Sequence, residues 1–435
     1  MQRRPGPPTP HLALCSARTV KVMDASRRRL RSNRRSAAPL RRRAALGLLA
    51  ATTATLAACA DFSATTQPYT AQPSLTAPMV TPVVPQQRPG STAPLSSAPK
   101  TSTSGTSGTS SKPADPCTPT DPMVIAACLS APWGLAPLPD GTSALVGERT
   151  TGRILKIAPR SKPVLVTTIA GIDAKGDGGL LGIAVSPSYG EDGLIYAYVT
   201  TATDNRVIRI AARDKPKAIL TGIPKGTVHN GGAIAFTRAG VLYVGTGDAG
   251  TAPDKAGTSL AGKLLRIDEF GKPAAGNPKP SSPVFSSGFT QITGLCLLST
   301  GAMAAVDHRV AADVLLAATA AKNFRQIRSG DAVWTWKAGE GGSADCATSS
   351  GMLTNTSLDK QHLTGISMSA AGNFTGTPRV LLDNKYGRLL TVQPGARNSL
   401  WMTTSNKDGH GRPVPADDRV IVLPDSGGAG GDGPD

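Results

Sequence analysis

The sequence predicts an all-β fold between residues 117 and 425, a β-propeller of six blades. Apolar stretches of five or six residues recur there, separated by turn signals such as Asp140-Gly141 and Asp192-Gly193. The whole unit repeats about every 45 residues, a spacing typical of propeller blades. No segment keeps the apolar periodicity of about 3.6 residues that a helix requires.

Each repeat contains an apolar strand, a turn, a second apolar strand, a polar loop and a third strand with a basic residue. The third strands include Arg153–Ile157 and Lys263–Ile267. Five repeats are visible, at 133–157, 179–210, 232–267, 294–316 and 389–423. The interval 334–380 has room for a sixth. A β-sandwich also has short strands, but repetition of the whole unit favours the propeller.

Residues 1–58 have the layout of a lipoprotein signal peptide. They contain 13 Lys and Arg residues and one acid, and the apolar run 44–58 ends in Leu56-Ala57-Ala58 before Cys59. This order of basic region, short apolar run and small residues before a cysteine matches the bacterial lipobox. An ordinary cleaved signal followed by a chance cysteine is the alternative. We expect Cys59 to be lipidated and to anchor the exported protein to the outer face of the cell membrane or cell envelope.

The distribution of charge argues against a nucleic-acid partner. The chain has a formal net charge of +18, of which residues 1–58 carry +12. The other +6 is spread thinly over the remaining 377 residues. Nucleic-acid-binding proteins concentrate Lys and Arg on one face, and no such concentration is visible here.

Two segments flank the predicted propeller. Residues 59–116 are rich in Pro, Ser, Thr, Gly and Gln, and residues 426–435 are rich in Gly and Asp. Such compositions bury too little apolar surface to offset the entropy of ordering the chain. We therefore predict a disordered tether at 59–116, the propeller at 117–425 and a disordered tail at 426–435.

Four cysteines within the predicted propeller are candidates for disulfides, because export leads to an oxidising compartment. They are Cys117, Cys128, Cys296 and Cys346. Four cysteines allow three pairings, and we favour Cys117–Cys128 and Cys296–Cys346, which join neighbours in sequence. No Cys-x-x-Cys is present, so a thiol metal site has little support.

The third repeat contains a candidate catalytic pair. His229 and Asp248 lie 19 residues apart, with the turn at 238–240 at the midpoint. In a hairpin this symmetry brings both residues to the open end, opposite the turn. A carboxylate beside an imidazole fixes its tautomer and stabilises the imidazolium, so the pair could act as a general base. The alternative is an exposed loop histidine near an aspartate that forms a turn.

The segments around this pair carry a family resemblance. They are 229–232 (His-Asn-Gly-Gly), 242–250 (Leu-Tyr-Val-Gly-Thr-Gly-Asp-Ala-Gly) and 259–268 (Ser-Leu-Ala-Gly-Lys-Leu-Leu-Arg-Ile-Asp). The chain resembles the soluble quinoprotein glucose and aldose sugar dehydrogenases, or glucose/sorbosone dehydrogenase family, well over 133–268 and loosely elsewhere. Its order of signal peptide, tether and propeller is also similar to that of the mycobacterial LppZ-type lipoproteins, which are assigned to the same family.

The resemblance implies a six-bladed propeller with pyrroloquinoline quinone (PQQ) and Ca²⁺ on one face. It implies that His229 takes the hydroxyl proton of a sugar or alcohol while hydride passes to the quinone, and that Asp248 orients His229. Asp177 falls at a polar position on the cofactor or sugar side. Arg388 falls in a late motif whose arginines contact the cofactor.

The chain departs from the family at three places. The family motif Gly-His-Arg-Asn-Pro-Gln-Gly corresponds to 288–294, where Thr290 replaces an arginine that pairs with the cofactor. The calcium loop Glu-x-Gly-Pro corresponds to 307–310 and contains Arg309, an unfavourable neighbour for a cation. Leu390 replaces the second late arginine. The metal ligands therefore stay unassigned.

Two functions follow from these observations. The retained His229 and Asp248 favour a PQQ-dependent sugar or alcohol dehydrogenase. The altered cofactor positions favour a propeller without chemistry that binds a glycan, lipid or protein partner in the envelope. A metal-dependent lactonase would need converging Glu, Asn and Asp ligands, and we find no such set.

Two other groups of residues are weaker candidates for a site. Trp334 and Trp336 alternate on one predicted strand. We expect one of them to face the core, and a platform for a sugar ring is the alternative. Asp408, Asp417 and Asp418 cluster near the end of the propeller. We expect them in a solvated loop.

Overall fold

A computed structural model describes residues 115–212, 214–251, 258–337 and 339–425. The predicted signal peptide, the lipidation site Cys59, nearly all of the predicted tether and the tail 426–435 lie outside these residues. Within the described residues, no helix is long and apolar enough to cross a membrane.

The described residues form six four-stranded antiparallel sheets, which confirms the predicted six-bladed propeller. The first strand is β1 (Val124–Ala126). Blade one contains β2 (Pro132–Pro137), β3 (Ala144–Glu148), β4 (Arg153–Ile157) and β5 (Val164–Thr168). Blade two contains β6 (Leu180–Val185), β7 (Ile195–Thr200), β8 (Asn205–Ile210) and β9 (Lys217–Ile223). Blade three contains β10 (Gly231–Phe236), β11 (Leu242–Thr246), β12 (Lys263–Ile267) and β13 (Val284–Ser287).

The second half of the ring repeats this plan. Blade four contains β14 (Ile292–Leu297), β15 (Met303–Asp307), β16 (Asp313–Ala317) and β17 (Ala332–Trp336). Blade five contains β18 (Asp345–Ser349), β19 (Met352–Ser357), β20 (His362–Met368) and β21 (Phe374–Asp383). Blade six contains β22 (Leu389–Pro394), β23 (Leu400–Thr404) and β24 (Val420–Leu423), together with β1. Within the described residues the helical segments are α1 (Tyr189–Asp192) and a 3₁₀ turn (Ala396–Asn398).

The two ends of the propeller meet in blade six. Strand β1 pairs antiparallel with β24, with Val124 opposite Ile421 and Ala126 opposite Val420. The innermost strands also form a closed ring, because β22 contacts β2 as well as β18. Strand β1 thus supplies the outermost strand of blade six and joins the beginning of the propeller to its end.

Glycines allow the innermost strands to approach one another closely. A Cβ atom on Gly182 would lie 2.3 Å from the carbonyl oxygen of Gly232, and one on Gly294 would lie 2.3 Å from Oδ1 of Asp345. Bulkier residues would push neighbouring blades apart at these two positions. Between the blades, apolar side chains form the core; Leu145, Ile154 and Leu180 are examples with no exposed surface.

The predicted repeats differ from the blades in two respects. Each repeat lacks the outermost strand, because strands such as β5 are largely exposed and show no buried apolar face. The interval 334–380 begins too early for the sixth repeat, since Trp334 and Trp336 belong to β17 of blade four. Blade five begins at Asp345 and occupies the rest of that interval.

Both predicted disulfides are present. Cys117 is bonded to Cys128 before blade one, and Cys296 of β14 is bonded to Cys346 of β18. The second disulfide therefore links the innermost strands of blades four and five.

Candidate active site

The predicted pair lies at the open end of the hairpin formed by β10 and β11. Nδ1 of His229 lies 2.9 Å from Oδ1 of Asp248, as the symmetry of the hairpin predicts. About 30% of each side chain is exposed, 29% for His229 and 31% for Asp248. Nε2 of His229 has no hydrogen-bond partner among the described residues. The pair thus presents one free imidazole nitrogen to solvent, with the other held by a carboxylate.

The backbone around His229 is held tightly. His229 has a positive φ of 56°, which is uncommon for a residue with a side chain. Its carbonyl oxygen accepts a hydrogen bond from the N–H of Ala249, and a Cβ on Gly247 would lie only 1.8 Å from that oxygen. Because Gly247 has no side chain, the two strands of the hairpin can approach each other closely at His229.

The residue after the histidine anchors this loop to blade two. Asn230 is fully buried, and its Oδ1 accepts hydrogen bonds from Nδ2 of Asn205 and the N–H of Gly226. Its carbonyl oxygen accepts a hydrogen bond from the hydroxyl of Tyr198 at 2.9 Å. These contacts fix the direction in which the preceding residue, His229, projects.

Asp177 belongs to the same group of residues. Its Oδ2 accepts a hydrogen bond of 2.9 Å from the backbone N–H of His229. Asp177 precedes β6, whereas His229 precedes β10, so the two interblade connections meet on one face of the propeller. The structure therefore brings together three of the predicted site residues, His229, Asp248 and Asp177.

A cavity of about 650 Å³ opens beside Asp177 on this face, bordered by loops of blades one, five and six. Its lining includes Arg149, Asp408, Lys407 and Leu390. A smaller cavity of about 300 Å³ lies on the other side of the pair, between blades three and four, and Asp248 contributes to its lining. His229 lines neither cavity, but it contacts one residue of each.

Arg149 supplies a half-buried cation to the larger cavity. Its Nη1 donates to the carbonyl oxygens of Gly176 and Gly178, both at 2.9 Å. Burial lowers the pKa of the Arg149 guanidinium, and the charges of Asp177 and Asp408 oppose that shift. Arginine keeps its charge at any physiological pH, so Arg149 can attract an anionic group into this cavity.

Arg388, the predicted cofactor contact, is occupied by protein groups. Nε donates to Oδ2 of Asp408 at 2.9 Å, and Nη1 contacts Asp359 at 3.4 Å. Only 10% of its side chain is exposed. Arg388 therefore neutralises Asp408 at the wall of the larger cavity, and it does not line that cavity.

The loop that corresponds to the calcium loop is cross-linked by its own arginine. Nε of Arg309 donates to Oδ2 of the fully buried Asp307 at 2.6 Å, and Nη2 donates to the carbonyl oxygens of Gly288 and Phe324, each at 2.9 Å. Oδ1 of Asp307 accepts hydrogen bonds from the N–H groups of Thr290 and Gln291. Burial raises the pKa of Asp307, against the lowering by Arg309 and by these two donors.

This arrangement does not fit calcium. Both oxygens of Asp307 are engaged by donors, and Asp313 is likewise engaged, by His308 at 2.6 Å and by the N–H of Ser343 at 2.8 Å. Calcium needs six to eight oxygen ligands, commonly several carboxylates. Among the described residues, no group of three or more His, Cys, Asp or Glu side chains could hold a metal ion.

A quinone with carboxylate groups fits this face in part. Arg149 and Lys407 give the larger cavity two cations, which face the carboxylates of Asp177, Asp408 and Asp418 in the same lining. Its volume is within the ordinary range for ligand pockets. Thr290 lines the smaller cavity without charge, while its carbonyl oxygen accepts the N–H of Asp248 and its own N–H donates to Asp307. Leu390 lines the cavity without charge.

Sequence reasoning missed Arg149 and did not identify the role of Asp408, which it had noted only as part of an acidic cluster. Arg149 belongs to no motif, and only the approach of three separate loops reveals its role. Asp408 borders the cavity through its ion pair with Arg388. The expected solvated loop is wrong for Asp417 and Asp418, which are both 1% exposed, because each accepts hydrogen bonds within blade six.

Comparison with known proteins gives consistent results. The family model for glucose/sorbosone dehydrogenase matches residues 129–324. The PQQ-bound aldose sugar dehydrogenase from Streptomyces coelicolor is 35% identical, with a TM-score of 0.64 over 69% of this chain and 95% of that chain. A putative oxidoreductase (glucose dehydrogenase) from Thermus thermophilus is 32% identical, with a TM-score of 0.62 over 68% of this chain and 98% of that chain. The soluble aldose sugar dehydrogenase from Escherichia coli, 19% identical with a TM-score of 0.58 over 69% and 98%, shares the fold.

Proposed function

Because the chain belongs to the glucose/sorbosone dehydrogenase family, we propose that it oxidises an aldose or alcohol with PQQ as the electron acceptor. The observation that carries this proposal is the 2.9 Å contact between His229 and Asp248, which leaves Nε2 of the imidazole free. A general base needs a free nitrogen within reach of a substrate hydroxyl, and it needs a partner that stabilises its protonated form.

In the proposed reaction, His229 accepts the hydroxyl proton of the substrate at Nε2. Asp248 accepts the hydrogen bond from Nδ1, which selects the tautomer with Nε2 unprotonated and stabilises the imidazolium that forms. Asp177 holds the backbone of His229, so that the ring keeps its direction. PQQ, when bound, would be the two-electron acceptor for the hydride that leaves the carbon carrying this hydroxyl group.

The larger cavity is the proposed location of the quinone. Arg149 and Lys407 would face its carboxylate groups, and Asp177 would connect that cavity to the base. The Arg-Asn pair of the family is absent, so we expect weaker binding than a fully conserved set of arginines would give. The smaller cavity beside Asp248 has room for a single sugar ring.

The experiment is a dye-reduction screen over aldoses and simple alcohols with the full-length protein reconstituted with PQQ. We expect turnover that falls by about 10²- to 10⁴-fold in His229→Asn, the usual contribution of a general base. His308→Asn is the matched control, because His308 pairs with Asp313 and not with Asp248. Equal turnover of His229→Asn and the control would contradict the assigned base.

We further propose that the protein acts in the cell envelope, anchored through a lipidated Cys59. The support is the order of basic region, apolar run and Leu-Ala-Ala-Cys in the sequence. The residues after Cys59 would hold the propeller away from the membrane. Metabolic labelling with a fatty-acid analogue tests this, with Cys59→Ser as the variant that should lose both the label and the membrane fraction.

A second candidate function is binding without chemistry, and specific observations favour it. Arg388 is committed to Asp408, while Thr290 and Leu390 bring no charge to the cofactor side. A propeller with this face could act as a binding or scaffold protein for a glycan, lipid or protein partner in the envelope. Tight PQQ binding together with turnover that depends on His229 would contradict this candidate.

A further inference from the structure

A third cavity, of about 310 Å³, lies between blades four and five. One wall is the outermost strand of blade four, β17, and the other consists of β19 and β20 of blade five. It shares no lining residue with the cavities beside Asp177 and Asp248. Whatever occupies it is therefore recognised by a separate set of side chains.

The blade-five wall changes from apolar to polar along its length. Leu353 pairs with Ile366 and Asn355 pairs with Thr364 in the register of β19 and β20. Leu353 and Ile366 belong to the core that holds the two blades together, whereas Asn355, His362 and Thr364 line the cavity with polar groups. Polar residues at positions that face another blade are costly unless something hydrogen-bonds to them.

Asn355 is the most buried of these polar residues. It is 7% exposed, and its Oδ1 accepts a hydrogen bond from the hydroxyl of Thr364 at 2.5 Å. Its Nδ2 has no hydrogen-bond partner among the described residues. Asn355 lines the cavity, so its two amide N–H donors are available to an acceptor bound there.

His362 adds a second polar group without a partner in the described part of the chain. Burial lowers the pKa of His362, and Lys360 acts in the same direction while Asp383 opposes it. The ring is therefore neutral at neutral pH, with one nitrogen able to donate and the other able to accept. No Lys or Arg lines the cavity, and Glu340 contributes its only carboxylate among the described residues. A neutral ligand suits this balance better than an anion.

Two indole rings complete the lining. Trp336 is 7% exposed, and Trp334 is partly exposed and packs edge-to-face against Phe374, with 5.2 Å between ring centroids. Indole rings offer a flat apolar surface and one N–H donor. A pyranose ring has an apolar face of C–H groups and a rim of hydroxyls, which can both accept from Asn355 and donate to His362.

We propose that this cavity is a binding site for one neutral saccharide unit, separate from the candidate active site. A volume of about 310 Å³ is at the lower end of ligand pockets and suits a single ring. The inference does not depend on dehydrogenase activity, because no lining residue takes part in the proposed chemistry. In an envelope protein, such a site would hold the propeller on a glycan chain.

Intrinsic tryptophan fluorescence tests this with the full-length protein in the absence of PQQ. The probes are glucose, maltose and N-acetylglucosamine, each titrated to 100 mM. We expect at least one sugar to give a saturable change with a Kd in the millimolar range. Asn355→Leu should raise this Kd at least tenfold, and Trp334→Phe should raise it while reducing the signal. Since Asn355→Leu could disturb folding, His362→Phe is a second variant with the same expected outcome.

Two matched controls separate this site from others. Trp401→Phe removes a buried indole of blade six, and His229→Ala removes the candidate base. Both variants should keep the wild-type Kd. The proposal is overturned if none of the three sugars gives a saturable change. It is also overturned if His229→Ala abolishes the change while Asn355→Leu and His362→Phe retain it, since the sugar would then occupy the candidate active site.

Discussion

Replacement of Arg309 by alanine tests whether an internal guanidinium, and not calcium, holds the loop beside the candidate active site. The substitution removes a cation that contacts the carboxylate of Asp307 and the carbonyl oxygens of Gly288 and Phe324. It leaves the fully buried Asp307 with two backbone donors and no opposite charge.

The magnitude follows from the burial of the pair. The side chain of Asp307 has no exposed surface, and that of Arg309 is 18% exposed. Removing one partner of a buried ion pair costs about 3–5 kcal/mol. Because the Asp307 carboxyl can take up a proton instead, we expect the lower end, about 3 kcal/mol. For a domain of this size each kcal/mol lowers Tm by about 2 °C, so Tm should fall by about 6 °C.

The assay is thermal unfolding of the full-length protein in 5 mM EGTA and in 5 mM CaCl₂. Wild type should unfold at the same Tm in both buffers, whereas Arg309→Ala should unfold about 6 °C lower in EGTA. Arg325→Ala is the matched control, because Arg325 lies in the same cavity but is exposed. An equal Tm for Arg309→Ala and the control would refute the reasoning. So would a rise of several degrees in wild-type Tm with calcium.

Three further predictions concern catalysis, a disulfide and a buried carboxyl. Asp248→Asn should keep the fold but lower dye reduction by about 10²- to 10⁴-fold, because His229 loses the group that fixes its tautomer; unchanged turnover would exclude this role. Replacing Cys296 and Cys346 by serine should lower the free energy of unfolding by about 4 kcal/mol, since the disulfide closes a 50-residue loop; denaturant titration without reductant would show the loss. Burial raises the pKa of Asp345 to about 8, from 3.8 when unfolded, so the folded state binds an extra proton. Stability should therefore fall as pH rises from about 4 to 8 and level off above that, and Asp345→Asn should remove this slope; an unchanged slope would contradict the assignment.

The fold could be predicted because its repeat is local in sequence. The inner strands of each blade either alternate between apolar and polar residues or are apolar throughout, and turn residues separate them at regular intervals. The closing strand β1 could not be predicted, because its partner β24 lies almost 300 residues later. The outermost strands were missed for a different reason, since residues such as Val164 and Leu165 are exposed and carry no burial pattern.

In the candidate site, too, contacts between residues near in sequence could be predicted, whereas contacts between distant loops could not. His229 and Asp248 belong to one hairpin, so sequence spacing was enough to place them together. Asp177 was identified through the family resemblance, and its contact with the backbone of His229 emerges only in the structure. Arg149 and Asp408 come from loops of different blades. No local signal marks Arg149, and the acidic cluster that contains Asp408 does not reveal its ion pair with Arg388. Arg388 was assigned to its motif through the family resemblance, and its ion pair with Asp408 depends on a loop 20 residues away.

Calorimetric titration of the full-length protein with PQQ tests the central claim most directly. The account predicts saturable binding of one equivalent, equal in EGTA and in CaCl₂, and weakened at least tenfold in Arg149→Ala. It also predicts that His229→Asn retains this binding while it loses sugar oxidation. Absence of any binding heat for the wild-type protein in both buffers would contradict the proposed dehydrogenase and would favour the binding propeller.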